Sequence, residues 1–247
     1  MRLALISDIH EDVQQLKHIL KKIDILGYDQ LLCLGDISGF SVPNYSYSET
    51  RNAHDCLSLL REREAIILPG NHDFFAARTL PMVSDVFDFP ENWYALDVDQ
   101  QAALTNNELW LHDDELDTNY IFEDIDYLSV LPEYRIIDTG RQNILFSHYV
   151  FPNLAGFKKE FYYRGADFKR HFEFMEKQDC LLSFTGHMHF DGFYTVEGGK
   201  FNEYRYRKLR LKNFPCCVGI PPATSHNKRS GFCIFDTEKS LLRTIRS

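Results

Sequence analysis

Five short apolar runs in this 247-residue chain each stop within a few residues at an Asp, an Asn or a His. Leu3–Ile6 leads to Asp8 and His10, Gln30–Leu34 to Gly35-Asp36, and Ala65–Leu68 to Pro69-Gly70-Asn71-His72. Further on, Asn143–Phe146 leads to His148, and Cys180–Phe184 to Gly186-His187 and His189. Short apolar runs closed by turn formers suit buried strands. After the first, Val13, Leu16, Ile19, Leu20 and Ile23 recur at helical spacing, and Gly27 is placed to end that helix. Ala53, Leu57, Leu59 and Leu60 predict a second helix before the third run. Strands alternating with helices predict βαβ units and a parallel sheet. Open α/β sheets place their ligands at the carboxyl ends of the strands, so these distant polar residues are expected to converge on one edge.

From about residue 74 to 128 the rhythm breaks. Trp93, Tyr94 and Trp110 sit there among acidic residues and weakly helical segments, which predicts a mainly helical cap inserted into a single 1–247 domain. Thr79–Glu133 holds 14 acidic residues and no Lys or Arg, against 22 acids and 27 bases elsewhere. That block alone sets the net charge of −9, and it disfavours nucleic acid as a partner. Downstream, Tyr134–Ile137 reads as a strand and Phe157–Lys177 as a basic, aromatic loop followed by a helix. Phe193–Val196, Tyr204–Leu211 and Phe232–Phe235 predict a second sheet with antiparallel character.

No segment approaches the ~20 apolar residues of a membrane helix, and the N-terminus enters a strand pattern without a leader-like core. No membrane partner and a cytoplasmic location are therefore expected, with all six cysteines reduced and buried. A homo-oligomer is compatible with the sequence, and nothing in it sets the assembly state.

A single Asp after a strand is usually a turn or cap residue, and a single His is usually a satisfied structural one. His18, His54, His112, His171 and His226 are read that way. Five strand ends that all carry ligand-type residues point instead to a metal site. A mixed imidazole and carboxylate set suits Mn²⁺, Fe²⁺ or Zn²⁺ better than Ca²⁺.

In order and spacing, Asp8-x-His10, Gly35-Asp36, Gly70-Asn71-His72-Asp73, His148 and Gly186-His187-Met188-His189 resemble the motifs of the calcineurin-like metallophosphoesterase superfamily. The Cys216–Pro221 segment is similar to its N-P-G-S-V-G-x-P turn. The resemblance covers nearly the whole chain and is nearest to small bacterial phosphodiesterase-type members. It implies an α/β fold of two packed mixed β-sheets flanked by helices, a four-layer α-β-β-α sandwich. It also implies one divalent metal on Asp8, His10 and His189, a second on Asn71, His148 and His187, and Asp36 bridging both. Mn²⁺ is the expected ion, with Fe²⁺, Zn²⁺ and Ni²⁺ as alternatives. The implied activity is hydrolysis of phosphodiesters or small phosphorylated metabolites, nucleotides included. A hydroxide shared by the metals would attack in line, and His72 would act as general acid. Asn71, Tyr149 and Arg164 are the expected substrate contacts, while Asp73 is expected to fix the local turn.

Departures from the motifs narrow the choice. Protein phosphatases of the superfamily follow the bridging Asp with GD-x-V-D-R-G, whereas this chain reads Gly35-Asp36-Ile37-Ser38-Gly39-Phe40. Without that phosphate-clamping Arg, a phosphomonoesterase acting on proteins or small molecules is the second reading. Lipid A pyrophosphohydrolases resemble GNRD where this chain has His72, and the retromer subunit of this fold has lost ligands that are all present here. A nuclease and a non-catalytic binding module rank below. Tyr149 stands where many relatives have Gly, and Glu11 adds negative charge beside His10. Among Lys158, Lys159, Arg164, Lys169 and Arg170, Arg164 is the expected phosphate contact.

Overall fold

Strand β1 (Arg2–Ile6) sets the layering, because its alternate side chains belong to two different cores. Leu3 and Leu5 face the cluster between the two sheets, while Ala4 and Ile6 face the cluster beneath helices α1 (Val13–Leu26) and α2 (Ala53–Arg61). This is the period-two alternation of a strand buried on both sides. The computed structural model describes residues 1–212, 214–225 and 229–247.

Among the described residues there are two six-stranded sheets. The first runs β3 (Ile66–Ile67), β2 (Gln30–Cys33), β1, β11 (Gly231–Asp236), β12 (Leu241–Arg246), β9 (Lys208–Arg210). The second runs β4 (Tyr134–Asp138), β5 (Asn143–Ser147), β6 (Cys180–Thr185), β10 (Cys216–Gly219), β7 (Phe193–Glu197), β8 (Lys200–Tyr204). β1, β2 and β3 are mutually parallel, as are β5, β6 and β10, and the remaining pairings are antiparallel. Phe146, Phe184 and Phe235 join the sheets, with ring centroids 5.6 and 5.1 Å apart along the chain of contacts. Helix α6 (Lys169–Lys177) covers the outer face of the second sheet through Phe174 and Met175. The four-layer arrangement is the one the motif resemblance implied.

Two expectations about the second sheet need correction. Tyr204–Leu211 is two strands, β8 and β9, which lie in different sheets. Phe232–Phe235 belongs to β11 and pairs antiparallel with β1, so it completes the first sheet. Cys216–Gly219 is a buried strand rather than a turn, parallel to β6.

The 74–128 segment begins within helix α3 (Asn71–Ala77) and beyond it is largely irregular. Its helical parts are one 3₁₀ turn (Trp93–Ala95), α4 (Val98–Leu104) and the start of α5 (Phe122–Ser129). It is held by aromatic packing: Phe74, Trp93, Leu109, Leu111 and Phe157 form a cluster of their own, with Phe87 and Phe89 against Trp93. Phe184→Ala should remove about 3–5 kcal/mol by leaving a cavity between the sheets. Urea unfolding of the variant and parent checks this, and a loss below about 1 kcal/mol would contradict the packing described.

Candidate metal centre

The parallel strands bring their carboxyl ends to one edge, and the turns that follow carry the polar side chains inward. Asp8 N donates to the Gly35 carbonyl (2.9 Å) and His10 N to that of Asp36 (3.0 Å), lacing the turns after β1 and β2 together. The turn after β6 joins them through His187 N, which donates to Asp8 Oδ1 (3.1 Å). Asp8, His10, Asp36, His187 and His189 all have left-handed backbone, with φ between 45° and 65°. For non-glycine residues this costs on the order of 1–3 kcal/mol each, and such strain concentrates where side chains must be aimed. Glycine is required beside them: a Cβ on Gly70 would run into Asp36 Oδ1, and one on Gly35 would meet His148 Nδ1 at 2.8 Å.

The structure brings together all seven side chains proposed as ligands. Ligand atoms of Asp8, His10, Asp36 and His189 lie within 4.8 Å of one another, as do those of Asp36, His148 and His187, so Asp36 belongs to both groups. His10 Nε2 and His189 Nε2 are 3.0 Å apart, His148 Nε2 and His187 Nδ1 3.1 Å, and His148 Nε2 and Asp36 Oδ2 3.1 Å. Two atoms sharing a cation at about 2.1 Å and 90–110° would be separated by roughly 3.0–3.4 Å. Backbone carbonyls fix the rings. His10 Nδ1 donates to the Gly39 carbonyl (2.9 Å) and His148 Nδ1 to that of Leu34 (2.7 Å), directing each Nε2 toward the centre. Asn71 Oδ1 is buried with no protein partner, which is what a ligand oxygen requires.

A model of the calcineurin-like phosphoesterase family matches residues 1–191. The chain belongs to that family. A metallophosphoesterase from Sphaerobacter thermophilus superposes with a TM-score of 0.65 at 20% identity, covering 100% of this chain and 88% of that one. A hypothetical protein from Pyrococcus horikoshii OT3 gives 0.60 at 13% identity, over 99% and 87%. An uncharacterized protein of Methanocaldococcus jannaschii is 33% identical over 72 residues, which are 29% of this chain and only 26% of that relative's length. The likeness to the two solved structures is one of fold.

In this calcineurin-like phosphoesterase the electrostatics suit cation binding. Burial lowers the pKa of His10 to about 3, with His189 and His72 adding to the effect, and burial takes His187 well below its usual value. Both rings are therefore neutral donors. Burial opposes ionisation of Asp8, but His189 outweighs it and holds the carboxyl at about 2. Burial also opposes charge on His148, yet Asp36 outweighs it and carries the ring to about 9. His72 is affected in the same way, with Glu115 and then Asp36 overcoming burial to raise it to about 10.

Other residues fall differently from the sequence reading. Tyr149 is fully buried, its hydroxyl accepting from Tyr162 N (3.0 Å) and its ring 4.7 Å from that of His187. It backs the ring of His187 and does not line the cleft. Arg164 is exposed and paired with Asp167, while Lys159 is the single Lys or Arg among the described residues lining the cleft. Glu11 is buried against Arg51 at 2.7 Å, which takes up its charge. Asp73 does close the turn: its Oδ1 accepts from Ile37 N and Ser38 N, and its Oδ2 from Gly70 N, each at 3.0 Å. His112, read from sequence as structural, and Glu115 both line the cleft. Their i,i+3 spacing within the acidic block was the available signal. His226 lies outside the described residues.

Because His148 holds a proton up to about pH 9 in the metal-free protein, cation binding must displace it. Apparent Mn²⁺ affinity should rise by up to about tenfold per pH unit from 6 to 8 and level above about 9. Titration calorimetry across that range tests it, and affinity independent of pH would contradict the assignment of His148.

Proposed function

We propose that this chain is a binuclear, Mn²⁺-preferring phosphoester hydrolase acting on phosphodiesters or small phosphorylated metabolites, nucleotides among them. One observation carries the reading: two ligand groups that share Asp36 lie at the base of a cleft of about 900 Å³, with His72 on its wall. Asp8, His10 and His189 would hold one cation, Asn71, His148 and His187 the other, and Asp36 both. When bound, the cations supply positive charge to the phosphoryl oxygens and make a water molecule acidic enough to attack at neutral pH.

The chain's own residues do the rest. His72 Nδ1 is bonded to Glu115, which leaves Nε2 turned toward Asp36, 3.8 Å away, at the cleft wall. Protonated at neutral pH, Nε2 donates its hydrogen to the leaving oxygen as the P–O bond breaks. The cleft walls favour a substrate of low negative charge. Asp113, Asp114 and Glu115 line one side, and Lys159 is the only Lys or Arg among the described lining residues. Trp110, Phe161 and Tyr163 line the cleft as well, with Lys159 Nζ 5.8 Å from the Trp110 ring centroid. Planar or apolar alcohols fit such a surface. A monoanionic diester meets less repulsion here than a dianionic monoester.

With Mn²⁺ added, bis-p-nitrophenyl phosphate should be hydrolysed with a higher kcat/KM than p-nitrophenyl phosphate. A strong preference for the monoester would favour the phosphomonoesterase reading instead. Trp110→Ala should raise KM for the aryl diester several-fold with kcat little changed. His72→Ala should keep its Mn²⁺ and lose on the order of 10²–10⁴-fold in kcat on esters with poor leaving groups. Full activity of that variant on such esters would remove His72 from the mechanism.

A further inference from the structure

Glu115 is the acidic residue of the cleft wall whose side chain is turned inward, and it is only 5% exposed. Its Oε1 meets His72 Nδ1 in a very short contact and His112 Nδ1 at 2.7 Å. The His112 spacing is that of a charge-assisted hydrogen bond, tighter than the roughly 3.0–3.4 Å between two ligands of one cation. The trio is built as a hydrogen-bonded unit.

Donor and acceptor logic then fixes every direction in it. A carboxylate only accepts, so both Nδ1 atoms carry hydrogen. The atom facing His112 Nε2 at 3.3 Å is the amide nitrogen of Asn71, which can only donate, so Nε2 is the acceptor. Asn71 Nδ2 donates to His112, which sends Oδ1 the other way, toward the ligand group, where it is buried and without a protein partner. The same carboxylate holds the ring of His72. That ring lies edge-on to His10 with centroids 4.9 Å apart, is 4.4 Å from His112, and packs on Gly39, where a Cβ would collide with it.

Glu115 is itself anchored to the body of the protein. Leu116 N donates to the Phe40 carbonyl at 2.9 Å, Ser41 Oγ to Asp114 Oδ2 at 2.5 Å, and Arg51 Nη2 to the Asp117 carbonyl at 2.8 Å. The loop after Asp36 and the acidic segment are thus locked together on either side of His72.

We propose that Glu115 is a positioning residue of this site. It sets the ring of His72 directly and, through His112, presents the amide oxygen of Asn71 to the metal. This rests on the reading of His72 as general acid and Asn71 as ligand, and it makes the acidic segment part of the catalytic apparatus.

The test uses the full chain loaded with Mn²⁺ and two diesters that differ only in leaving group, methyl p-nitrophenyl phosphate and methyl phenyl phosphate. Glu115→Ala should lower kcat on the phenyl ester by about 10–100-fold, and on the nitrophenyl ester by less than about threefold, with KM nearly constant. Glu115→Gln should fall between parent and Glu115→Ala. His112→Ala should leave the ratio of the two rates near that of the parent but weaken Mn²⁺ binding about tenfold or more by calorimetry. Thermal melts establish that each variant is folded. If Glu115→Ala does not melt cooperatively, Glu115→Gln decides by the same rate ratio.

An equal loss on both esters, or none, in a folded Glu115 variant overturns the positioning role when His72→Ala does change the ratio. If His72→Ala leaves the ratio unchanged, the general-acid reading itself has failed, and the His72 half of the proposal falls with it. Undiminished Mn²⁺ affinity in His112→Ala overturns the Asn71 half.

Discussion

A carboxylate sealed away from water dominates this structure. Asp36 is 1% exposed, and burying an ionised group of that kind costs several kcal/mol unless compensating charge is close. Its partners are unusual. His148 Nε2 is 3.1 Å away, His72 donates its backbone N–H at 3.2 Å, and the His72 ring stands at 3.8 Å. Imidazoles compensate negative charge only when protonated, and His148 can ligate only when it is not. A divalent cation resolves that conflict by replacing protons among the ring nitrogens, so the site is better balanced with metal than without.

Much of this follows from where the chain crosses between layers. Sheet one contributes three parallel strand ends and sheet two contributes two, and the packed phenylalanines between them set the distance across which Asp8 and His187 meet. The left-handed turns then point the side chains inward over a span too short for ordinary strand geometry. Stability is given up locally at those turns and recovered in the core.

The strand ends were legible because each combines an apolar run, a turn former and a ligand-type residue in adjacent positions. Helix α1 was equally plain from its spacing and Gly27. The antiparallel part was harder. Tyr204–Leu211 has one hydrophobic pattern but a break near Arg205–Arg207, and nothing local says that its halves join different sheets. Likewise Phe232–Phe235 pairs with a strand more than 220 residues earlier. At the site, residue type misled where direction mattered. Tyr149 and Arg164 have suitable chemistry but face the interior and the solvent, whereas Lys159 and Glu115 looked like members of ordinary charged stretches. Whether a side chain turns toward the cleft depends on tertiary contacts that sequence spacing does not encode.

The order of strands also bears on how the protein comes into being. β1 lies between β2, which follows within about thirty residues, and β11, which follows more than 220 residues later. During translation the strand that leads to Asp8 and His10 therefore keeps one open edge until β11 has emerged. Its partners in the ligand group include His189, itself late. A nascent chain cannot close the site around a metal ion early, and contacts of such long sequence separation form slowly. Closure of the site is in this way tied to late pairing, and a product ending before β5 would carry Asp8, His10, Asp36 and Asn71 without the histidines of the second sheet.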